Sequence, residues 1–187
     1  MTNIEKKYLL NLSRKSLKDF FDGKRVNGIL KNLVDVPIIL KQIGATFVTL
    51  TKKGQLRGCI GKLMASNPIY VDVVENSYSA AFNDYRFEPL TEEELDQIKI
   101  EISVLTPMKE YIYANNKQLL EFLSKSKPGV YITTNQNTAT YLPQVWDDLP
   151  EATLFLSSLC EKAGLESGFW RNNKLKVFTY KVENFNE

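Results

Sequence analysis

The run Leu56-Arg57-Gly58-Cys59-Ile60-Gly61 sets a thiol and a guanidinium two positions apart, with glycines beside them. On a β-strand, residues two apart share a face at about 7 Å between Cα atoms. Leu56 and Ile60 are the natural core contacts, so Arg57 and Cys59 are expected to point away from that core. A free cysteine has a pKa near 8.5 and is about 3% thiolate at pH 7, and a nearby cation lowers that pKa by about a unit or more. Cys59 is therefore a candidate nucleophile or redox thiol. Arg57 is a candidate activator of that thiol and a holder of an anionic group. Gly58 and Gly61 are positions where a ligand or another backbone can come close. The competing interpretation is packing, because free cysteines are among the most buried residue types and strand glycines often mark bulges.

Two further segments carry groups that could complete such a centre. In Asp84-Tyr85-Arg86-Phe87-Glu88-Pro89-Leu90, Arg86 could join Arg57 at an anionic ligand such as phosphate or carboxylate, with Asp84 as base or orienter. The alternative is an internal Asp84–Arg86 pair that ties down the loop. In Thr140-Tyr141-Leu142-Pro143-Gln144-Val145-Trp146, Gln144 and Trp146 could line a pocket beside the thiol. The alternative there is strand-end packing under a buried Trp146. The second cysteine, Cys160, falls on an apolar helical stripe with Leu156, Leu159 and Ala163 and reads as core.

The chain contains no histidine. That excludes a Cys-His dyad, a Ser-His-Asp triad and every histidine-containing zinc site. Two cysteines cannot form a four-thiolate site either, so a metal would need oxygen ligands, and neither metal nor cofactor is expected. Any general base must be a carboxylate, lysine, tyrosine, thiolate or water. The 187 residues suffice for one sizeable domain or two small lobes, and 43% hydrophobic with 25% charged residues is an ordinary globular composition. The net charge of +2 does not by itself argue for nucleic acid. Residues 1–41 are locally basic and residues 88–110 locally acidic, which reads as solvated surface. A charged N-terminus, no long apolar run and no disulfide framework lead us to expect a cytoplasmic protein.

The elements that must position these residues are legible from periodicity. Thr2 and Glu5 form a capping box for a helix that runs to Asp22-Gly23, and Pro37 suggests a second helix start near Val36. Ala45–Leu50 and Leu56–Ile60 read as a hairpin around Lys52-Lys53-Gly54-Gln55. Asn67-Pro68 opens a helix with a buried face at Tyr70, Val73, Val74, Ser77 and Ala81. A second capping box is expected at Thr91 and Glu94. Ile98, Ile100, Ile102 and Val104 alternate as a strand. Lys117–Lys125 reads as a helix, Val130–Thr134 and Ala139–Leu142 as a hairpin. Ala152–Ala163 reads as a helix ended by Gly164, and Leu175–Val182 as a final strand. Helices and antiparallel hairpins without β-α-β alternation define an α+β class.

Taken together, these segments resemble the AMMECR domain. The resemblance rests on Leu56 to Gly61, on Asn83-Asp84-Tyr85-Arg86-Phe87-Glu88-Pro89-Leu90, on Ile100 to Thr106, on Leu142-Pro143-Gln144-Val145-Trp146, and on Phe155-Leu156, Leu159 to Leu165 and Trp170, in that order along nearly the whole chain. It implies a single domain over residues 1–187 with two closely packed lobes, each an antiparallel sheet flanked by helices. It also implies Memo-type and radical-SAM proteins as partners in a modification pathway, with RNA or a nucleotide-related molecule among the candidate substrates. It implies no particular reaction. Tyr85 stands where the family usually has proline, and Lys127-Pro128-Gly129 stands where many relatives carry a histidine. Two functional classes follow. One is an enzyme or enzyme subunit with Cys59, Arg57 and Asp84 at its centre and Gly58, Gly61, Arg86, Gln144 and Trp146 around its substrate. The other is a non-catalytic adaptor for a protein or RNA partner.

Overall fold

The structure, a computed structural model, describes residues 1–187. The chain divides into two compact units, one of residues 1–105 with 183–187, the other of residues 106–182.

The first unit opens with α1 (Asn3–Phe21). Its capping box forms as expected: the Glu5 N–H donates to Thr2 Oγ1 at 3.3 Å and the Thr2 N–H donates to the Glu5 carboxylate at 2.7 Å. A short helix, α2 (Val26–Lys31), follows. Where a helix was expected near Val36, Pro37 instead caps a single 3-10 turn, Ile38–Lys41. Then come β1 (Ile43–Lys52) and β2 (Gln55–Gly61). Their turn places Lys53 at φ +51° and Gly54 at φ +79°. Two successive left-handed residues make the type I′ connection whose twist matches an antiparallel pair. The two-residue β3 (Asn67–Pro68) pairs with Ile43 and Gly44 and leads into α3 (Ile69–Phe82), with Pro68 as N-cap one position before the helix. A 3-10 turn, Glu92–Glu94, precedes β4 (Ile98–Leu105).

In this sheet the order is β2-β1-β4-β9, with β3 against β1 and β9 spanning Val182–Asn186. Val48 faces Ile102 and Leu50 faces Ile100 across the β1–β4 pair. All four are fully buried, and they share a core with Leu9 and Leu17 of α1 and Val73 of α3. Strand alternation therefore sends Thr49, Cys59 and Glu101 to the opposite face of the sheet.

The second unit contains β5 (Lys109–Glu110), α4 (Asn116–Ser126), β6 (Gly129–Thr133), β7 (Thr138–Tyr141), α5 (Val145–Asp148), α6 (Ala152–Lys162), α7 (Phe169–Asn172) and β8 (Lys176–Tyr180). Its sheet runs β5-β8-β6-β7. Leu119 and Leu123 of α4, Val130 and Ile132 of β6, and Phe155, Leu156 and Leu159 of α6 form its core. The final strand expected over Leu175–Val182 forms as β8, and a further strand that was not expected, β9, follows it in the other sheet. The break falls at Lys181, whose N–H and C=O are both taken by Thr106 at 2.9 Å. Residue alternation is the same on both sides of such a break, so periodicity does not register it. No helix is long and apolar enough to cross a membrane.

Candidate functional site

β2 is an edge strand, paired on one side with β1 alone. Thr49 stands directly opposite Cys59. The Cys59 N–H donates outward to Asp84 Oδ2 at 2.9 Å, and the Cys59 carbonyl accepts from Arg86 Nη2 at 3.2 Å. With both backbone groups turned to the free edge, Thr49 and Cys59 form a non-hydrogen-bonded pair, the arrangement that brings opposed side chains closest. Accordingly Thr49 Oγ1 and Cys59 Sγ lie 3.1 Å apart. Cys59 is half-buried, whereas Cys160 is fully buried, and burial pushes its thiol up from the ordinary value.

The loop after α3 thus closes over the open edge of β2 at Cys59, a covered edge in place of an exposed row of unpaired groups. Asp84 also accepts from Arg86 through the backbone N–H at 3.2 Å, Nε at 2.9 Å and Nη2 at 2.7 Å. The Arg86 guanidinium, with smaller help from the Cys59 and Arg86 N–H groups, holds the Asp84 carboxyl well below the usual carboxylate range, against the opposing effect of burial. A carboxylate held there takes no proton near neutral pH. The expectation of Asp84 as proton acceptor is replaced by that of an anchor for the Cys59 backbone. Arg86 is committed to the same anchor, with its side chain 44% exposed beyond it.

Arg57 does not turn to the thiol. Its Nε and Nη2 donate to the two carboxylate oxygens of Glu94 at 3.0 and 2.7 Å, Nη1 to the Glu88 carbonyl at 2.8 Å, and Nη2 to the Pro89 carbonyl at 3.3 Å. Lys52 adds a bond to Glu94 at 2.9 Å, and the Thr91 N–H adds one at 3.1 Å. Arg57 is the main reason that the Glu94 carboxyl is lowered to about 2; burial opposes it, and Lys52 and the Thr91 N–H assist. The forked pairing consumes the donors expected for an anionic ligand, because a bidentate carboxylate already fills that geometry.

The glycines serve packing. A Cβ on Gly58 would lie 2.1 Å from the Ala80 carbonyl oxygen of α3, and a Cβ on Gly61 would lie 2.3 Å from the Phe47 ring. Of the two close approaches the sequence allowed, it is the backbone and not a ligand that occupies the space at Gly58.

Trp146 and Gln144 belong to the second unit. Trp146 is 2% exposed, stacked on Phe155 at 3.7 Å between centroids and donating Nε1–H to the Pro128 carbonyl at 2.8 Å. It is a core residue with no surface to offer a pocket, a correction that follows from its size and apolar area. Gln144 is exposed at the start of α5.

Three residues of this neighbourhood carried no functional signal in the sequence beyond their strand or turn positions. Glu94 was legible only as a capping residue. Thr49 and Glu101 are the polar members of alternating strands, and their register, Cys59 opposite Thr49 and Thr49 opposite Glu101, lines up a thiol, a hydroxyl and a carboxylate across three strands. Glu101 is half-buried and enters no ion pair. The pairing that could have exposed this row is a register between strands about fifty residues apart, which periodicity alone does not supply.

These features define a two-unit α+β protein whose edge strand carries a half-buried thiol, with both backbone groups of that cysteine held by an Asp–Arg pair. The chain belongs to the AMMECR1 family, whose model matches residues 10–185. It is 31% identical over 188 residues to a protein from Methanosarcina acetivorans, covering 100% of this chain and 94% of that one. It is 32% identical over 190 residues to a protein from Aquifex aeolicus, covering 96% and 91%. Its fold is similar to the crystal structure of the uncharacterized protein PH0010 from Pyrococcus horikoshii, with a TM-score of 0.84 and 27% identity over 100% of this chain and 93% of that one.

Proposed function

We propose that this protein is an enzyme, or a subunit of one, in a modification pathway, and that the Cys59 thiolate attacks an electrophilic carbon of its substrate. The observation that carries this reading is the cost taken to fix one residue. Asp84 and Arg86 hold both backbone groups of Cys59, Arg57 and Glu94 tie the same strand to the same loop, and the sulfur remains half-buried beside the Thr49 hydroxyl. Positioning a nucleophile against a bound substrate is worth several orders of magnitude in rate, and rigid support is what such positioning needs. In this reading Arg57, Asp84 and Arg86 are positioning residues. The thiol loses its proton to solvent, the thiolate accepts the Thr49 O–H hydrogen bond, and a sulfur–carbon bond forms at an unsaturated carbon as its π bond breaks and that electron pair moves to the far atom, which takes a proton from solvent. Glu101 offers a carboxylate on the same face, so the substrate carries a neutral or cationic group there in place of the anionic group that Arg57 suggested. Memo-type and radical-SAM proteins are the proposed pathway partners.

Alkylation of the folded protein by iodoacetamide tests this reading, with Cys160 as an internal control. Cys59 is expected to react in the native state and Cys160 only after unfolding. A Cys59 that stays unmodified until the protein unfolds removes the nucleophile. A specific observation favours a second reading, a binding module. Every charged group first expected at the centre is used inside the fold. Cys59→Ser separates the two, since a binding module keeps its partner and its cellular role without the thiol.

A further inference from the structure

The second unit carries two adjoining clefts that share Asn173 and Lys174. One, of about 250 Å³, is lined among others by Asn115, Asn116 and Arg171; the other, of about 550 Å³, by Thr133, Asn135, Phe169 and Lys176. No aspartate or glutamate lines either cleft. From Ser167 to Val182 the chain has Arg171, Lys174, Lys176 and Lys181 and no acid. Some cations elsewhere in this protein are held by carboxylates, Arg57 by Glu94, Arg86 by Asp84, Lys24 by Asp19 and Lys62 by Glu75, and others on its helices and strands are not; what sets this group apart is that three of them line one pair of clefts with no acid in it. Arg171 and Lys174 enter no ion pair, and Lys176 meets Glu110 only at 3.8 Å with both side chains largely exposed, a contact worth little in water.

The backbone between the clefts is held rigidly. The Tyr113 hydroxyl donates to the Leu175 carbonyl at 2.8 Å and accepts from the Leu175 N–H at 3.0 Å. The Asn116 amide donates to the Arg171 carbonyl at 2.9 Å. That bond also fixes the first turn of α4 beside the cleft, so the positive end of an eleven-residue helix adds to the field of the side chains. Phe169 is half-buried in the larger cleft, with ring surface left toward it.

We propose that these joined clefts bind a short stretch of single-stranded nucleic acid. Unpaired cations spaced along a groove track a phosphate backbone. An aromatic ring within the groove stacks a base, and amides and hydroxyls meet base edges and sugars. A duplex keeps its bases stacked inside and leaves Phe169 without a partner. An acidic peptide satisfies the cations but leaves the ring and the amides unused. Cys59 does not line either cleft, and Cys59→Ser is expected to leave them intact.

The test is fluorescence anisotropy of the full chain with a labelled twelve-nucleotide oligouridine over a salt series. Three phosphate contacts at about 0.7 per contact give an expected slope of log affinity against log salt near −2. The double variant Arg171→Gln, Lys174→Gln changes only exposed side chains. It should weaken binding at least about tenfold and bring the slope to about −0.7. Phe169→Leu, which keeps an apolar filler against the core, should weaken binding about fivefold and leave the slope unchanged. The proposal is overturned if the oligonucleotide does not bind at low salt or the double variant binds as the parent does. It is also overturned if polyglutamate or duplex of equal charge competes as well as the single strand.

Discussion

Arg57 and Glu94 face each other in a two-bonded pair whose side chains are only 15% and 13% exposed. A pair this sheltered differs from an ordinary surface ion pair in what its loss does. Removing one partner leaves the other partly desolvated and unmatched, which costs about 2 kcal/mol for a hydrogen-bonded charge. Arg57→Ala and Glu94→Gln are each expected to lower unfolding free energy by about that amount, read from urea midpoints at pH 7. The pH dependence has a definite sign. The Glu94 carboxyl is lowered to about 2 in the folded state, against about 4.3 in an unfolded chain. The unfolded chain therefore takes up the proton first as the solution is acidified. The contribution is fully present above about pH 4.3 and is lost as pH falls through about 2. Asp84 adds a change of the same sign. The urea midpoint should fall steadily between about pH 5 and pH 2, and Glu94→Gln should flatten part of that fall.

At the scale of elements, β2 and α3 meet where neither has a side chain in the way. The Ala80 carbonyl oxygen occupies the space that a Cβ on Gly58 would need, at 2.1 Å. The atom in the way is backbone, so no rotamer change relieves it. Gly58→Ala is expected to destabilise the protein by about 3 kcal/mol, the upper part of the range for overpacked sites, with a lower urea midpoint as the readout. Gly28 lies within α2 and a Cβ there meets nothing within 4 Å. Gly28→Ala should raise stability by about 0.5–1 kcal/mol through helix propensity. The contrast tests whether glycine in this chain is retained for contact or merely tolerated. The hairpin β1–β2 was legible because Lys53-Gly54 is local turn chemistry, and α1 because its capping box lies within four residues. The partner of Gly58 was not, since Ala80 reaches it only after the intervening chain has folded back.

Across the molecule, residues 106–182 form one uninterrupted unit, while the other unit needs residues 183–187 to complete its sheet. The Glu187 carboxylate receives the Arg14 guanidinium and the Ile100 N–H, and Glu183 receives Lys6 and the N-terminal ammonium. Both tryptophans, Trp146 and Trp170, lie in the core of residues 106–182. Ending the chain at Val182 is therefore expected to lower the thermal midpoint seen by far-ultraviolet circular dichroism while native tryptophan emission persists. Emission lost together with the dichroism signal contradicts that division.

Sequence by itself determined what depends on near neighbours: the α+β class, the Thr2 capping box, the alternation of Ile98 to Val104, and the exclusion of histidine chemistry. It also placed Cys59 on the strand face away from Ile60, but it misplaced Leu56, because a bulge in the β1–β2 pair sets Leu56 opposite Thr51 on the Cys59 face, 44% exposed and outside the core. Only the tertiary structure decided what those side chains touch. The Arg57 guanidinium has a flexible stem that reaches either a thiol two residues away or a carboxylate 37 residues away, and local spacing ranks the first choice higher. The fold brings the loop over the strand edge, a forked carboxylate matches a guanidinium better than a thiol does, and the long-range pair wins. Trp146 followed the same logic in reverse, since its ring area made the core a stronger claim than any pocket.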